Sequence, residues 1–133
     1  MIVAVADTHT IIWYLYKDVR LSASAKAFML NAEASGDQIG LSSITFVEMV
    51  YLIEKSRIPV EGLSRLARLL ADPRGVFTEI PVDLNVARAL SQIEVSKVPD
   101  MPDRIIAATA LLHKVPIISR DGKIRISGLT TIW

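Results

Sequence analysis

Four carboxylates in this chain of 133 residues stand where they could carry chemistry. Asp7 directly follows the short β-branched run Ile2–Ala6, which is typical of a strand buried on both faces. Glu48 lies in a predicted helix that is apolar nearly all round, which we therefore expect to be buried. Asp103 begins a later apolar helix, and Asp121 follows the fourth predicted strand by two residues. Because sites in parallel sheets form beyond the carboxyl ends of the strands, we expect these acids to meet.

A cluster of such acids would need a cation. Two like charges about 4 Å apart repel by about 4 kcal/mol at an effective dielectric of 20. Carboxylate oxygens, with no Cys in the chain and no His among the expected ligands, favour Mg²⁺ or Mn²⁺. These ions bind phosphate oxygens and make a bound water more nucleophilic. The acids therefore predict the hydrolysis of phosphodiester bonds.

Each acid also has an ordinary structural explanation. Asp7 is suited to cap the helix that follows it, and Asp103 to the first turn of a helix, where a negative charge meets the helix dipole. Asp100, three residues earlier, could be the N-cap of that helix. Asp121 belongs to a common Asp-Gly turn dipeptide, and Glu48 could face solvent. Their joint placement favours a common site over four separate explanations.

Short strands alternate with helices along the chain, which indicates an α/β fold with a mostly parallel sheet. Strands are predicted over residues 2–6, 38–41, 76–80 and 115–119, with a last edge strand over 129–133. Helices are predicted over residues 8–16, 22–35, 43–56, 59–71, 83–95 and 103–113. The chain has no internal repeat and no linker, so residues 1–133 are expected to form one domain.

The composition excludes several classes of protein. With no cysteine there is no disulfide scaffold, thiolate zinc site or cysteine nucleophile. The mean hydropathy of +0.39 is high, yet no apolar run approaches the roughly 18 residues of a spanning helix, and no signal peptide is apparent. We therefore expect a cytoplasmic protein whose surplus apolar surface meets a partner. The formal net charge of +1 means that any nucleic-acid site must be local.

Four stretches of the chain resemble the PIN-domain ribonucleases, and in particular the VapC-type toxins of bacterial toxin–antitoxin modules. They are, in chain order, Val5–His9, Thr45–Met49, Pro102–Ala110 and Ile118–Asp121. The order and approximate spacing of the four acids agree with that family over nearly the whole length. The resemblance implies a three-layer α/β/α sandwich with a mostly parallel central sheet, an Mg²⁺- or Mn²⁺-dependent endoribonuclease, a cognate antitoxin and a homodimer.

The same resemblance implies roles for individual residues. The metal-binding and catalytic acids would be Asp7, Glu48, Asp103 and Asp121, with Asp100 as an alternative for the last of them. Thr8, next to the first acid, matches a hydroxyl that lies near the metal. Ser119 is expected to support the site in a similar way.

Basic and aromatic residues near these acids are candidates for contacts to RNA. Arg104, Arg120 and Lys123 stand in the last third of the chain, where they could hold phosphates, although Arg104 could instead pair with an acid. A second group follows the first acid and could stack on bases, but its helical spacing is more typical of core or partner contacts. That group is Trp13, Tyr14 and Tyr16.

Three other functions fit parts of the sequence. One is a catalytically inert PIN-like module that docks a protein or RNA, against which the presence of all four acids weighs. A second is cleavage of RNA by two imidazoles, His9 and His113, through general acid–base catalysis. A third is an aspartyl-phosphate phosphatase with Asp7 as nucleophile, but His9 stands where that chemistry usually has a second acid.

Overall fold

The computed structural model describes residues 1–125 and 128–133, with only the backbone of Lys123 and Arg125. Its five strands form one parallel sheet in the order β3-β2-β1-β4-β5. The strands are β1 Ile2–Ala6, β2 Gln38–Ser42, β3 Phe77–Ile80, β4 Ile117–Ile118 and β5 Thr131–Ile132. The first strand is therefore central, and successive strands are added on one side of it before the chain returns to the other. That reversal is a topological switch point, where crevices form in open sheets.

Seven helices connect or follow these strands within the described residues. They are α1 Thr8–Leu15, α2 Ala23–Ala34, α3 Ser43–Glu54, α4 Gly62–Ala71, α5 Leu84–Leu90, α6 Met101–His113 and α7 Gly122–Arg125. A side-chain oxygen caps the amino end of five of them by accepting a backbone N–H, as the sequence predicts for short polar residues at helix starts. The capping residues of α1, α2, α3, α5 and α6 are Asp7, Ser22, Ser42, Asp83 and Asp100.

The sheet separates two hydrophobic cores, which confirms the three-layer sandwich. Ala4 and Ala6 of β1 join the first core, whereas Val5 joins the second, because successive strand residues point to opposite faces. Helices α1, α2 and α4 pack on the first face, and α5 and α6 on the second. Fully buried side chains include Ile11, Met29 and Leu66 on the first face and Val86 and Ile106 on the second.

Several helix boundaries differ from the predicted ones. Helix α4 begins at Gly62 because Pro59 opens a turn, in which the Gly62 N–H donates to the Pro59 carbonyl. Helix α5 ends at Leu90 rather than near Val95, since the following residues form i→i+3 turns. Helix α6 begins at Met101, two residues earlier than predicted. Pro102 lacks a backbone N–H, but no helical hydrogen bond is lost because the N–H groups of a first turn have no partner within the helix.

Helix α3 is less buried than its apolar sequence predicts. Of its residues only Thr45 and Met49 are buried, whereas the Val47 and Tyr51 side chains are 62% and 56% exposed. The expectation of a helix buried nearly all round was therefore wrong. The described part of the chain leaves one apolar face of α3 open.

None of the helices in the described ranges combines the length and apolarity that a bilayer crossing requires.

Candidate active site

A cleft opens where β1 and β4 end, and the predicted acids meet there. Its cavity volume is about 430 Å³. The side chains that line it are Asp7, Thr8, His9, Trp13, Arg20, Glu48, Asp100, Asp103, Arg120 and Asp121. All four predicted acids therefore share one cleft with Asp100, although they come from segments far apart in sequence.

Asp7 serves as a helix cap and lines the cleft at once. It follows β1 directly and is only 7% exposed. Its Oδ1 accepts a hydrogen bond of 2.9 Å from the Thr10 N–H, and its own N–H donates to the Ile118 carbonyl at 3.1 Å. The Thr10 hydroxyl donates to the same carbonyl at 2.9 Å. The two bonds to Ile118 of β4, together with the cap bond from Thr10, hold the Asp7 carboxylate at the centre of the sheet edge.

Glu48 reaches the cleft from the middle of α3. The Thr8 hydroxyl donates to Glu48 Oε1 at 2.5 Å, and Thr8 Oγ1 lies 3.1 Å from the buried Thr45 hydroxyl. Burial raises the pKa of Glu48, while the hydrogen bond from Thr8 opposes that shift. The negative charge of Asp100 raises the same pKa further. Thr8 also lines the cleft, where its hydroxyl lies beside this acid.

Asp103 is the acid most perturbed by the others. It lies in the first turn of α6, where its N–H donates to Asp100 Oδ2 at 3.2 Å. Burial, followed by the charges of Asp100, Asp121, Glu48 and Asp7, raises the pKa of Asp103 to about 7. The carboxylates therefore lie close enough to repel one another, which is the condition that a bound cation relieves.

Ser119 positions Asp121 and is not among the residues that line the cleft. Ser119 is fully buried, and its hydroxyl accepts a hydrogen bond of 2.9 Å from the Asp121 N–H. Its own N–H donates to the Ile132 carbonyl at 3.2 Å. Asp121 and Asp100 both line the cleft, so the alternatives for the fourth acid lie in the same place.

The donors of this cleft fit a hard divalent cation. They are carboxylate oxygens, which Mg²⁺ and Mn²⁺ prefer. As the described side chains stand, no three from Asp, Glu, His or Cys lie close enough together to enclose one ion. Mg²⁺ keeps several waters and is usually held through one or two carboxylates, so a cage of protein ligands is not required. The carboxylates of the cleft therefore suit an ion that keeps part of its water shell.

Arg104 lies elsewhere, which corrects its assignment as a phosphate ligand. Its Nη2 donates to the carbonyls of Leu90 and Ile93 at 3.3 Å and 3.1 Å, and its Nε is buried without a partner among the described residues. Arg104 is also in none of the ion pairs found there, so it does not pair with an acid. Its function is to tie α6 to the end of α5. The side chain of Lys123 lies outside the described part of the chain.

Arg20 is a cleft residue that the sequence reasoning missed. Its guanidinium carbon lies 5.1 Å from the ring centroid of Trp13, and that of Arg120 lies 4.6 Å from the same ring. No motif marks Arg20, because these three residues meet only through the tertiary fold. A signal was available in the local pair Asp18 and Arg20, whose spacing allows an ion pair.

The remaining candidates divide between the core and the cleft. Tyr14 packs edge-on against Phe77 with ring centroids 5.0 Å apart, as expected of a core residue. His9 lines the cleft, but His113 ends α6. Ten residues of helix separate it from Asp103, or about 15 Å. The structure therefore does not bring the two imidazoles together.

The family-model comparison gives the class of protein. The model described as "PIN domain" matches residues 4–126, so the chain belongs to the PIN domain family. Its sequence is 28% identical over 127 residues to "Ribonuclease VapC22" of Mycobacterium tuberculosis, covering 94% of this chain and 92% of that protein.

Solved structures agree with the fold. The crystal structure of VapBC2 from Rickettsia felis, bound to a DNA fragment from their promoter, contains a chain with a TM-score of 0.72 at 15% identity. That match covers 98% of this chain and 97% of the other. A toxin–antitoxin complex from Klebsiella pneumoniae contains a chain with a TM-score of 0.66 at 26% identity, covering 98% and 96%.

Proposed function

We propose that this chain is a metal-dependent endoribonuclease and the toxin component of a type II toxin–antitoxin pair of the VapBC kind. The observation that carries the proposal is the convergence of five carboxylates in one cleft, where burial and the charges of the other four raise the pKa of Asp103 to about 7. Membership of the PIN domain family and the likeness to a VapC ribonuclease support it. The two cores share one sheet, which supports a single nuclease domain over residues 1–133.

The proposed acids are Asp7, Glu48, Asp103 and Asp121, with Asp100 beside them as an alternative to the last. When bound, Mg²⁺ or Mn²⁺ would stabilise charge on the phosphate and lower the pKa of a water. The chain's own contribution is to hold the acids in place. The α1 cap fixes Asp7, and the Thr8 hydroxyl orients Glu48.

The direct test is to incubate the purified protein with total RNA and to map new RNA ends by sequencing. We expect cleavage in Mg²⁺ or Mn²⁺ and none after treatment with EDTA. Cleavage that survives EDTA would indicate a metal-free mechanism and overturn the proposal. Calorimetry with Mn²⁺ tests the rival function, an inert PIN-like module, because we expect such a module to bind no metal.

A second cavity offers a place for the proposed antitoxin partner. It has a volume of about 890 Å³ and lies among α1, α2 and α4. Its apolar lining is Leu15, Val19, Leu21, Leu30 and Leu69, and its basic lining is Lys17, Lys26, Arg65 and Arg68. Four basic side chains against two acidic ones suit a segment of antitoxin with an apolar stripe and acidic flanks. Leu69→Asp should abolish co-purification with a co-expressed cognate antitoxin.

The open face of α3 supports the proposed homodimer. The Ser43 hydroxyl accepts a hydrogen bond of 3.0 Å from the Val82 N–H, so exposed Val82 lies beside the first turn of α3. Val47 and Tyr51 continue that face one and two turns further along. Light scattering after size exclusion should give a dimer for the wild type and a monomer for Val47→Glu.

We propose that the protein acts in the cytoplasm, where RNA is available to it.

A further inference from the structure

We propose that Trp13, Arg20 and Arg120 form a phosphate-binding wall of the cleft, which holds an RNA phosphate that neighbours the one being cut. This inference rests on the proposed ribonuclease function. We call these three residues the arginine–tryptophan wall. It lines the same cleft as the carboxylates, so the cleft has an acidic part and a basic part.

Trp13 is the platform of the wall. Its side chain is only 5% exposed, and its ring lies 5.7 Å from the rings of both His9 and Trp133. The guanidiniums of Arg20 and Arg120 lie over this fixed ring at 5.1 Å and 4.6 Å. Cation–π attraction and the planar shape of guanidinium therefore hold both charges at the cleft. Because its ring is buried and covered, Trp13 supports the arginines and does not itself stack on a base.

Asp18 holds Arg20 in one orientation. Its carboxylate accepts two side-chain bonds from Arg20, at 3.0 Å from Nε and 2.8 Å from Nη2, and a third bond of 2.9 Å from the backbone N–H. These bonds lower the pKa of Asp18 to about 2, and the charge of Arg120 adds to the effect. Two of the five guanidinium N–H donors of Arg20 are used in this way, which leaves three for a ligand.

The charge balance of this part of the cleft favours an anion. Arg20 and Arg120 bring two positive charges to the Trp13 ring, and Asp18 is the acid that pairs with Arg20. The ion pairs among the described residues do not include Arg120, so its charge remains available. A phosphate fits best, because guanidinium donors match its oxygens in a fork geometry.

RNA in particular supplies such an anion at the required place. A single strand carries one phosphate per nucleotide, and proteins that bind single strands follow that backbone with a basic groove. When the scissile phosphate lies at the acids, a neighbouring phosphate of the same strand therefore meets the arginine–tryptophan wall. The wall would therefore make efficient cleavage depend on a phosphate at one position that flanks the cut site.

The test uses a short RNA that contains one mapped cut site. In a series of substrates, an uncharged methylphosphonate replaces each phosphate in turn. For the wild type, we expect one flanking position at which the replacement lowers kcat/KM about 10- to 100-fold, as expected for a charge-assisted hydrogen bond. Arg20→Gln and Arg120→Gln should lower kcat/KM on ordinary RNA by a similar factor, mainly through KM. Both variants should be insensitive to the replacement at that position.

Two controls make the result specific. Arg88→Gln removes an exposed arginine of α5 outside the cleft and should retain the wild-type response to every substrate. Arg20→Lys keeps the positive charge but lacks the forked guanidinium donors, so it should bind RNA more tightly than Arg20→Gln and less tightly than the wild type. Equal sensitivity of wild type and Arg20→Gln at every flanking position would overturn the proposal.

A binding assay separates this inference from the proposed ribonuclease function. Polarisation of a labelled RNA in EDTA, titrated over a range of salt, needs no cleavage. For the double variant Arg20→Gln, Arg120→Gln we expect weaker binding and a salt slope smaller by about 0.7, the value for one phosphate on a single strand. An unchanged slope would reject the wall even if the wild type cleaves RNA. If the double variant lost antitoxin binding but bound RNA as the wild type does, the wall would also be rejected as an RNA site.

Discussion

The Thr8 hydroxyl donates a hydrogen bond to Glu48 Oε1 across 40 positions of sequence. Thr8 is the first residue of α1 and follows Asp7, whereas Glu48 lies in the middle of α3. The same hydroxyl lies 3.1 Å from that of Thr45, one turn before Glu48. The Thr8 side chain therefore couples Glu48 to the start of α1, next to Asp7.

Thr8→Val removes that coupling with little change in shape. It leaves Glu48 without its donor, and such losses behind a metal ligand typically cost about 10- to 100-fold in metal affinity or activity. We expect the Mn²⁺ concentration for half-maximal cleavage to rise by that factor. Thr8→Ser keeps the hydroxyl and should stay within a few-fold of the wild type. An unchanged Mn²⁺ dependence of Thr8→Val would remove Thr8 from the site.

Asp7→Asn should separate the two roles of Asp7. Asparagine caps helices about as well as aspartate, so the fold should survive, while the loss of a carboxylate should lower cleavage roughly 10²- to 10³-fold. Asp83→Asn is the matched control, since Asp83 caps α5 in the same way outside the cleft. Cleavage and thermal melts of both variants give the comparison. Full activity of Asp7→Asn would contradict the proposed role.

Without metal, stability should fall as the pH rises. Because the pKa of Asp103 is raised from 3.8 to about 7, the folded chain binds more protons than the unfolded chain between those values. The free energy of unfolding must then decrease with pH across that window, and the raised pKa of Glu48 acts in the same direction.

Asp103→Asn provides the measurement, because asparagine does not titrate. In EDTA, the melting temperature of the variant relative to the wild type should increase between about pH 5 and pH 8. Adding Mn²⁺ at the higher pH should stabilise the wild type more than the variant. A constant difference across the range would show that Asp103 titrates normally.

Arg104→Met should destabilise the protein without acting on the cleft chemistry. It removes the hydrogen bonds from the guanidinium to the carbonyls of Leu90 and Ile93, which are charge-assisted. We expect the free energy of unfolding in urea to fall by about 1.5–3 kcal/mol. Arg88→Met, at an exposed position on α5, should change it by less than about 0.5 kcal/mol. Unchanged stability with weaker RNA binding would instead support a phosphate contact for Arg104.

Local patterns predicted much of the sheet and of the acidic cleft. The unalternating apolar run before Asp7 predicts the central strand, because such a run is typical of a strand covered on both faces. Asp100 was a candidate cap for α6 from its spacing alone, and it caps that helix. Parallel topology then brings the ends of such strands to one edge, so acids that follow them share a cleft.

Features that depend on tertiary contacts were not predictable in the same way. The end of α5 is held by Arg104 from another helix, so the sequence around Val95 overestimates its length. The arginine–tryptophan wall unites three segments, and nothing near Arg20 in sequence points to Arg120. The open face of α3 depends on which helices pack beside it, which periodicity does not reveal.

The order of the strands has a consequence for synthesis on the ribosome. Asp7 bonds to Ile118, and Ser119, which holds Asp121, bonds in turn to Ile132. Asp7, the earliest of these acids to be translated, thus depends on β4, which lies more than one hundred residues later, and β4 depends in turn on β5. A nascent chain that has not yet released residue 132 lacks the final support of its cleft. Cutting activity should therefore emerge abruptly, once β5 is free to pair with β4, rather than grow as the chain lengthens.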